Sequence, residues 1–219
     1  MLALSLLNES LTPLRRSDTV RAAREFMAEQ GVTELPVLDK SGLYNYVRSI
    51  LLIDAQEDQK LDELIPFNPH APRVIQNQHV YEIIPVLAAA DMQVIAVMNE
   101  NGEFVGIIDQ RHIHRMISQS LTYKGVGAVV VIGSKDKDFA PSQIMRLVEE
   151  NGAKVLGMMV EHAENQELLI SLKLNTTVVK SIIATLQRFQ YPLKGCYMAE
   201  DYNPGGEKEY DAVLRFFDL

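Results

Sequence analysis

The chain contains an internal duplication at a distance of sixty residues. Residues 35–49 begin Leu-Pro-Val-Leu-Asp, and residues 95–109 begin Ile-Ala-Val-Met-Asn. An amphipathic stretch precedes each copy and starts near Val20 in the first and near Val80 in the second. A repeated unit that cannot bury its apolar face alone needs a partner, and a cleft between two related halves is a common ligand site. We therefore expect two similar halves that pack against each other.

The first copy, residues 1–60, predicts the order strand, helix, strand, strand, helix. Ser17 or Asp18 is expected to cap the first helix, and Gly31 is expected to end it in a left-handed conformation. Pro36 falls inside the next strand and indicates an edge, a bulge or a strand start, because proline cannot donate a ladder hydrogen bond.

The second copy, residues 61–121, predicts the same order of elements. Its helix contains Pro85, which removes a hydrogen bond and predicts a kink or a late helix start. Asn101 and Gly102 form a strong turn signal between the two strands that follow. The two copies are thus expected to share one architecture.

This repeated order resembles the CBS domain family, whose members pair in tandem as Bateman modules. The resemblance covers residues 1–121 and rests on the Leu-Pro-Val-Leu-Asp strand, the glycine turn and the Val-Gly-Ile-Ile-Asp strand. It implies a pseudo-symmetric pair of small sheets whose clefts, in many members, hold adenosine nucleotides.

In binding members of the family, the second strand ends in a Ser or Thr that faces phosphate, and an Asp three residues later accepts both ribose hydroxyls. The resemblance places Ser49 and Leu52 at these positions in the first copy, and Asp109 and His112 in the second. Leu52 cannot accept a hydrogen bond, and Asp109 would repel a phosphate unless a cation or Arg111 intervenes. The expected ligand is AMP, ADP, ATP or a related adenosyl compound. The predicted nucleotide contacts are Pro36, Ser49, Ala96, Asp109, Arg111 and His112.

Residues 126–199 predict the order strand, helix, strand, strand, helix, strand, which is the split βαβ arrangement. Pro141 suits the first position of the first helix, and Asn175 or Thr176 is expected to cap the second. The segment resembles an ACT domain, which implies edge-to-edge dimers and amino-acid binding at a glycine-containing loop. The corresponding loop, residues 135–141, contains no glycine.

The predicted fold class is therefore α+β, with a tandem CBS pair followed by a ferredoxin-like βαββαβ domain of the ACT type. This combination resembles the acetoin-utilisation regulatory family of bacteria. Residues 200–219 form a predicted tail in which Tyr210, Val213, Leu214 and Phe217 fall at helical spacing. Such a helix is expected to pack on its own chain or on a dimer mate, or else to dock on an outside partner.

Composition narrows the possible functions. The net charge of -8 argues against binding duplex nucleic acid. A single cysteine, Cys196, permits no intrachain disulfide and indicates a cytoplasmic protein. Residues 1–7 are apolar but lack a basic leader region, so they resemble neither a signal peptide nor a membrane span.

No catalytic motif is recognisable in the sequence. His112 and His114 do not share a face on a helix, so a metal pair is not expected there. A phosphate-cradling glycine loop and a Gly-x-Ser-x-Gly elbow are both absent. We therefore expect no enzyme but a regulatory homodimer that senses a nucleotide, with a further protein partner as an open possibility. The alternative is a scaffold or dimerisation protein in which the CBS and ACT sites no longer bind ligands.

Overall fold

The computed structural model describes residues 1–163 and 167–198. The chain divides into two compact units, Met1–Ile117 and Ser118–Leu219. No helix among the described residues is long and apolar enough to cross a membrane.

The first unit is a duplicated arrangement of small sheets and helices. Its elements, in chain order, are a 3-10 helix (Ala3–Leu6), β1 (Leu14–Arg15), α1 (Val20–Gln30), β2 (Glu34–Asp39), β3 (Gly42–Arg48), α2 (Ser49–Leu52), α3 (Leu61–Leu64), β4 (Arg73–Ile75), α4 (Val80–Ala90), β5 (Val94–Met98), β6 (Phe104–Asp109) and α5 (Gln110–Ser118). The sheets have the orders β1-β2-β3 and β4-β5-β6. In each, the short first strand runs parallel to the second, and the second and third strands form an antiparallel hairpin.

The strand register relates the two repeats residue by residue. Leu35 pairs with Val47 in the first hairpin, and Ile95 pairs with Ile108 in the second. Residues before the turn therefore correspond at a distance of sixty, and residues after it at a distance of sixty-one. The second turn contains one extra residue.

This extra residue corrects the alignment made from the sequence. Arg48, rather than Ser49, is the structural counterpart of Asp109, because Arg48 pairs with Glu34 and Asp109 pairs with Val94. By the same offset, Ser49 corresponds to Gln110. An ungapped comparison cannot detect such an insertion, since both turns carry acceptable turn residues.

The two ends of α1 show which of the helix-capping residues predicted from the sequence are correct. Thr19 caps α1, because its hydroxyl accepts a hydrogen bond from the Ala22 amide at 3.3 Å. The prediction of Ser17 or Asp18 was therefore wrong, and the Asp18 carboxylate instead accepts from the Arg15 amide. Gly31 ends α1 with a φ of 64°, as predicted.

Pro85 lies inside α4, which runs without interruption from Val80 to Ala90. The predicted late start was wrong. The first turn of α4 is held by Glu82, whose carboxylate accepts from the His79 amide at 2.9 Å. This contact satisfies an amide near the helix start, where the helix itself supplies no acceptor.

The second unit is a four-stranded antiparallel sheet with helices. Its elements are α6 (Leu121–Lys124), β7 (Val129–Lys135), a 3-10 turn (Asp136–Asp138), α7 (Pro141–Glu150), β8 (Val155–His162), β9 (Glu167–Leu174), α8 (Lys180–Arg188) and β10 (Leu193–Tyr197). The sheet order is β10-β7-β9-β8. The predicted order of strands and helices is confirmed, and the ACT assignment stays a prediction.

One face of this sheet packs against α7 and α8 and forms the core of the second unit. Cys196 belongs to that core and is buried. Helix α7 begins at Pro141, as predicted. Helix α8 begins only at Lys180 and has no side-chain cap, so the prediction of Asn175 or Thr176 was wrong. The predicted tail helix lies outside the described residues.

Candidate functional site

A polar pocket of about 400 Å³ lies between the two repeats of the first unit. Thr33 and Ser49 line it from the first repeat, and their counterparts Gln93 and Gln110 line it from the second. Two pairs of equivalent residues thus contribute to one pocket. It straddles the pseudo-two-fold axis that relates the repeats, and we call it the axial pocket.

The backbone around the axial pocket repeats the same symmetry. The Ser49 amide donates to the Thr33 carbonyl at 2.7 Å, and the Gln110 amide donates to the Gln93 carbonyl at 2.8 Å. These bonds tie the start of α2 to the entry of β2, and the start of α5 to the entry of β5. Both helices therefore begin at the pocket in equivalent positions.

Glu34 links the two repeats directly beneath the axial pocket. Its side chain is buried, and its carboxylate accepts hydrogen bonds from the amides of Gln93 and Val94 and from the Thr33 hydroxyl. A buried carboxylate needs such donors because it has lost its hydration. Glu34 is consequently a link between β2 and the start of β5, and its acceptor oxygens are already occupied.

Two arginines cross from one repeat to the other. Arg48 donates to the Ala90 carbonyl at 2.9 Å, at the end of α4. Arg111 donates to the Gln30 carbonyl at 3.4 Å, at the end of α1. The last carbonyls of a helix lack partners within it and carry partial negative charge, so a guanidinium stabilises them. Each repeat thereby holds the helix end of the other.

Asp109 forms a local ion pair with Arg111. The carboxylate is buried and accepts from the Arg111 amide at 2.8 Å and from the guanidinium at 3.0 Å. The cation expected to offset the charge of Asp109 is therefore present within the chain. Both carboxylate oxygens of Asp109 thus accept hydrogen bonds from Arg111.

Of the six predicted nucleotide contacts, Ser49 lines the axial pocket. The other five line neither this pocket nor the apolar one described below. Pro36 and Ala96 lie in the buried central strands, at equivalent positions of β2 and β5. His112 lies half-buried on α5. Their roles in binding stay predictions.

The sequence comparison missed Arg48, Gln93 and Gln110 as pocket residues. Gln93 and Gln110 lie next to the repeated strands, but neither is of a residue type that the resemblance predicted as a ligand. A correct hairpin register would have identified Gln110, because it is the counterpart of Ser49.

A second pocket of about 380 Å³ lies between α1 and α2 and is mainly apolar. Met27, Val32 and Leu52 form its wall, and Ser49 lies at its rim as well as in the axial pocket. Arg24 borders it and donates to the carbonyls of Leu52 and Ile53, at the end of α2. Ser49 is thus placed where a polar and an apolar pocket meet.

The Tyr46 side chain of the first repeat forms hydrogen bonds to two backbone groups of the second repeat. Its hydroxyl accepts from the Ala96 amide at 2.8 Å and donates to the Pro72 carbonyl at 2.7 Å. Burial raises the pKa of the Tyr46 phenol well above its ordinary value. In the first repeat, Pro36 occupies the position equivalent to Ala96, and it has no amide hydrogen that needs an acceptor.

The part of the chain that the structure describes contains no group of three or more His, Cys, Asp or Glu residues arranged to hold a metal ion. His112 and His114 both lie on α5.

No family model matches the chain, and no curated protein matches it. Among solved structures, the chain is similar to protein MJ1004 from Mathanocaldococcus jannaschii, with 14% identity and a TM-score of 0.50 over 54% of this chain and 60% of that one. The match thus spans less than two thirds of that protein. The CBS domains of a transcriptional regulator from Streptococcus pneumoniae match with 15% identity and a TM-score of 0.47, over 52% of this chain and 98% of that one. A CBS domain pair/ACT domain protein from Thermotoga maritima matches with 14% identity and a TM-score of 0.49, over 53% and 96%.

These similarities concern the fold of about half of the chain. The first unit has a duplicated topology, and the similar structures include CBS domain proteins. The ACT assignment of the second unit and the acetoin-utilisation family stay predictions.

Proposed function

We propose that this chain is a non-catalytic regulatory protein whose first unit binds an adenosine-type nucleotide, such as AMP, ADP or ATP, between its two repeats. The observation that carries the proposal is the set of polar side chains in the axial pocket. Ser49, Gln93 and Gln110 line it from both repeats, and none of these side chains makes a hydrogen bond to another described residue. Such side chains are available to a ligand.

The chemistry of these groups suits a nucleotide. A glutamine amide offers both a donor and an acceptor, which is the pattern that pairs with the edge of adenine. The Ser49 hydroxyl can bond a ribose or a phosphate oxygen. Arg48 lines the same pocket and adds positive charge toward a phosphate, although its guanidinium also holds the end of α4.

A ligand in this position would contact both repeats at once. Binding that favours one arrangement of the repeats over another shifts the population of arrangements, which is what a regulatory unit requires. We further propose that the protein acts as a homodimer in the bacterial cytoplasm, without nucleic-acid or membrane partners.

Thermal unfolding with a panel of nucleotides tests the proposal. A nucleotide at a hundred times its dissociation constant stabilises the folded protein by about 2.7 kcal/mol. We expect AMP, ADP or ATP to raise the melting temperature, and the double variant Gln93→Leu with Gln110→Leu to abolish that rise. Gln187→Leu, an exposed glutamine on α8, is the matched control and should respond like the natural chain. If no adenine nucleotide raises the melting temperature, the nucleotide proposal fails.

A scaffold or dimerisation protein is the second candidate. It is favoured by the buried Asp109–Arg111 pair and by Leu52, which is buried where the family pattern places a ribose ligand. In this case light scattering would show a stable dimer, and its dissociation constant would be the same with and without nucleotides.

A further inference from the structure

Asp91 ends helix α4 in a backbone conformation that few side chains adopt. Its φ is 50° and its ψ is 54°, which is the left-handed region. In the first repeat, Gly31 ends α1 at the equivalent position with a φ of 64°. Glycine enters this region without steric cost, whereas a residue with a Cβ does not. The second repeat therefore carries a side chain at a position where the backbone alone favours glycine.

The carboxylate of Asp91 is available at the axial pocket. Asp91 lines this pocket and is exposed. Its side chain forms no hydrogen bond or ion pair within residues 1–163 and 167–198, and only its main chain is engaged. The other carboxylate that lines the pocket, Glu34, already accepts bonds from two amides and a hydroxyl. Among the described lining residues, Asp91 thus supplies the carboxylate that is open to a ligand.

A positive charge lies beside this carboxylate. The Arg48 guanidinium donates to the Ala90 carbonyl at 2.9 Å and to the Asp91 carbonyl at 3.4 Å. At the end of α4, the axial pocket therefore combines a group that attracts phosphate with a group that repels it. A ligand satisfies both groups when it carries a phosphate on one side and hydrogen-bond donors on the other.

The two hydroxyls of a ribose are donors that suit Asp91. An ionised carboxylate only accepts hydrogen bonds, and its two oxygens can each take one hydroxyl of a vicinal diol. Acidic side chains bind ribose hydroxyls in this way in dinucleotide-binding folds. In a nucleotide, the 5′-phosphate and the two hydroxyls are attached to different carbons of the same sugar, so Arg48 and Asp91 can bind them together. Gln93 and Gln110 then remain for the base.

We propose that Asp91 is the specificity-determining residue of the axial pocket and selects ribose over deoxyribose by accepting the 2′- and 3′-hydroxyls. The inference rests on the proposed nucleotide function and adds the recognition of the sugar to it. It also gives a reason for the difference between the repeats, because the Asp91 side chain serves the ligand and not the end of the helix.

Isothermal titration of the full chain tests the proposal, with AMP, ADP and ATP each compared with its 2′-deoxy counterpart. We expect the ribose form to bind at least about tenfold more tightly, because a hydrogen bond to a charged group contributes enough free energy for such a factor. Asp91→Asn keeps the size of the side chain and tolerates the left-handed region, but it removes the charge and one acceptor oxygen. This variant should reduce the ratio to less than about threefold.

Asp54→Asn is the matched control for the loss of one negative charge. Asp54 is exposed and lines neither the axial pocket nor the apolar one. The control variant should retain the preference for ribose.

Asp91→Gly separates a role in ligand binding from a role at the helix end. Because glycine ends α1 at the equivalent position, the melting temperature of the ligand-free variant should be unchanged or higher. Its affinity for the ribose form should nevertheless fall at least about tenfold. A lower melting temperature with unchanged affinity would assign Asp91 to the structure of the helix end and overturn the proposal.

Failure of this inference differs from failure of the nucleotide proposal. Nucleotide binding without a preference for ribose, or with a preference that survives in Asp91→Asn, would overturn the role of Asp91 and leave the nucleotide proposal intact. Absence of binding by AMP, ADP and ATP to the natural chain would overturn both.

Discussion

The segments that follow the two hairpins of the first unit are equivalent in backbone and opposite in surface chemistry. Ile50 in α2 and Ile53 directly after it are 66% and 63% exposed. At the corresponding positions of α5 stand Arg111 and His114. The buried position between them is aliphatic in both segments, Leu52 in α2 and Ile113 in α5. The duplication has thus retained what packs inside, while the outer surfaces have diverged.

This comparison indicates that packing, and the hydrogen bonds between the repeats, constrain which residues the repeats retain. Glu34 contacts the second repeat from β2, whereas its counterpart Val94 contributes only an amide. Arg48 and Asp109 occupy equivalent positions with opposite charge. A symmetrical backbone therefore supports an asymmetrical set of polar contacts, and each contact can be removed separately.

The largest expected effect is at the buried aliphatic position that the two helices share. Leu52 and Ile113 are both almost fully buried. Replacing either by alanine should lower the free energy of unfolding by roughly 2–5 kcal/mol, because a cavity remains. Urea denaturation measures this loss, and exposed Leu51→Ala should change it by less than about 0.5 kcal/mol. A small effect at Ile113 alone would break the proposed equivalence.

The next largest loss of stability is expected at Tyr46, whose hydroxyl accepts a hydrogen bond from the Ala96 amide. The first repeat has no equivalent amide hydrogen, because Pro36 occupies that position. Tyr46→Phe leaves the Ala96 amide and the Pro72 carbonyl without their partner and should cost about 1–3 kcal/mol. The pH dependence has a definite sign. Because the folded-state pKa of Tyr46 is raised above the unfolded value of about 10, the unfolded chain loses its proton first. Stability should fall as pH rises above 10, and the fall should be shallower in Tyr46→Phe, as measured by denaturation at several pH values.

Removal of the Asp109 carboxylate should have a smaller effect on stability. Asp109→Ala removes the acceptor of the Arg111 amide, but the guanidinium of Arg111 is largely exposed and can be hydrated instead. We expect a loss of about 1–2 kcal/mol by urea denaturation. Isothermal titration should also show tighter nucleotide binding if Asp109 repels phosphate. Unchanged affinity would remove Asp109 from the predicted contacts.

The smallest effect is expected when the outer surface of α2 is made to resemble that of α5. Ile50→Arg with Leu51→His changes two exposed side chains and should alter the free energy of unfolding by no more than about 0.5 kcal/mol. Light scattering then tests whether the exposed aliphatic surface contributes to self-association. Weaker dimers would assign that surface to the interface, and an unchanged dimer would exclude it.

Several features of the fold were predictable from local sequence. The periodic apolar residues identified the helices and the hairpins, and Gly31 and Pro141 marked helix ends because their backbone preferences are strong. Helix caps were less predictable, because Ser, Thr, Asp and Asn stood close together near both caps. Thr19 was selected over Ser17 and Asp18 by the position at which the backbone enters α1.

The candidate site was less predictable than the fold. Ser49 was identified from the repeat, but its partners Gln93 and Gln110 join it only through the packing of the two repeats. Asp109 and His112 were selected through an alignment that missed one turn residue. A single inserted residue changes which side chains are equivalent after the turn.

The sequence by itself determined the duplication, the order of elements in both units and the acidic, single-cysteine character of the chain, because periodicity and composition are local properties. Tertiary structure alone decided the hairpin register, the location of the axial pocket and the bonds by which each repeat holds a helix end of the other. These features depend on contacts between residues distant in the chain, such as Glu34 with Val94 and Arg48 with Ala90. Such contacts are set by how two packed surfaces meet, which no local pattern specifies.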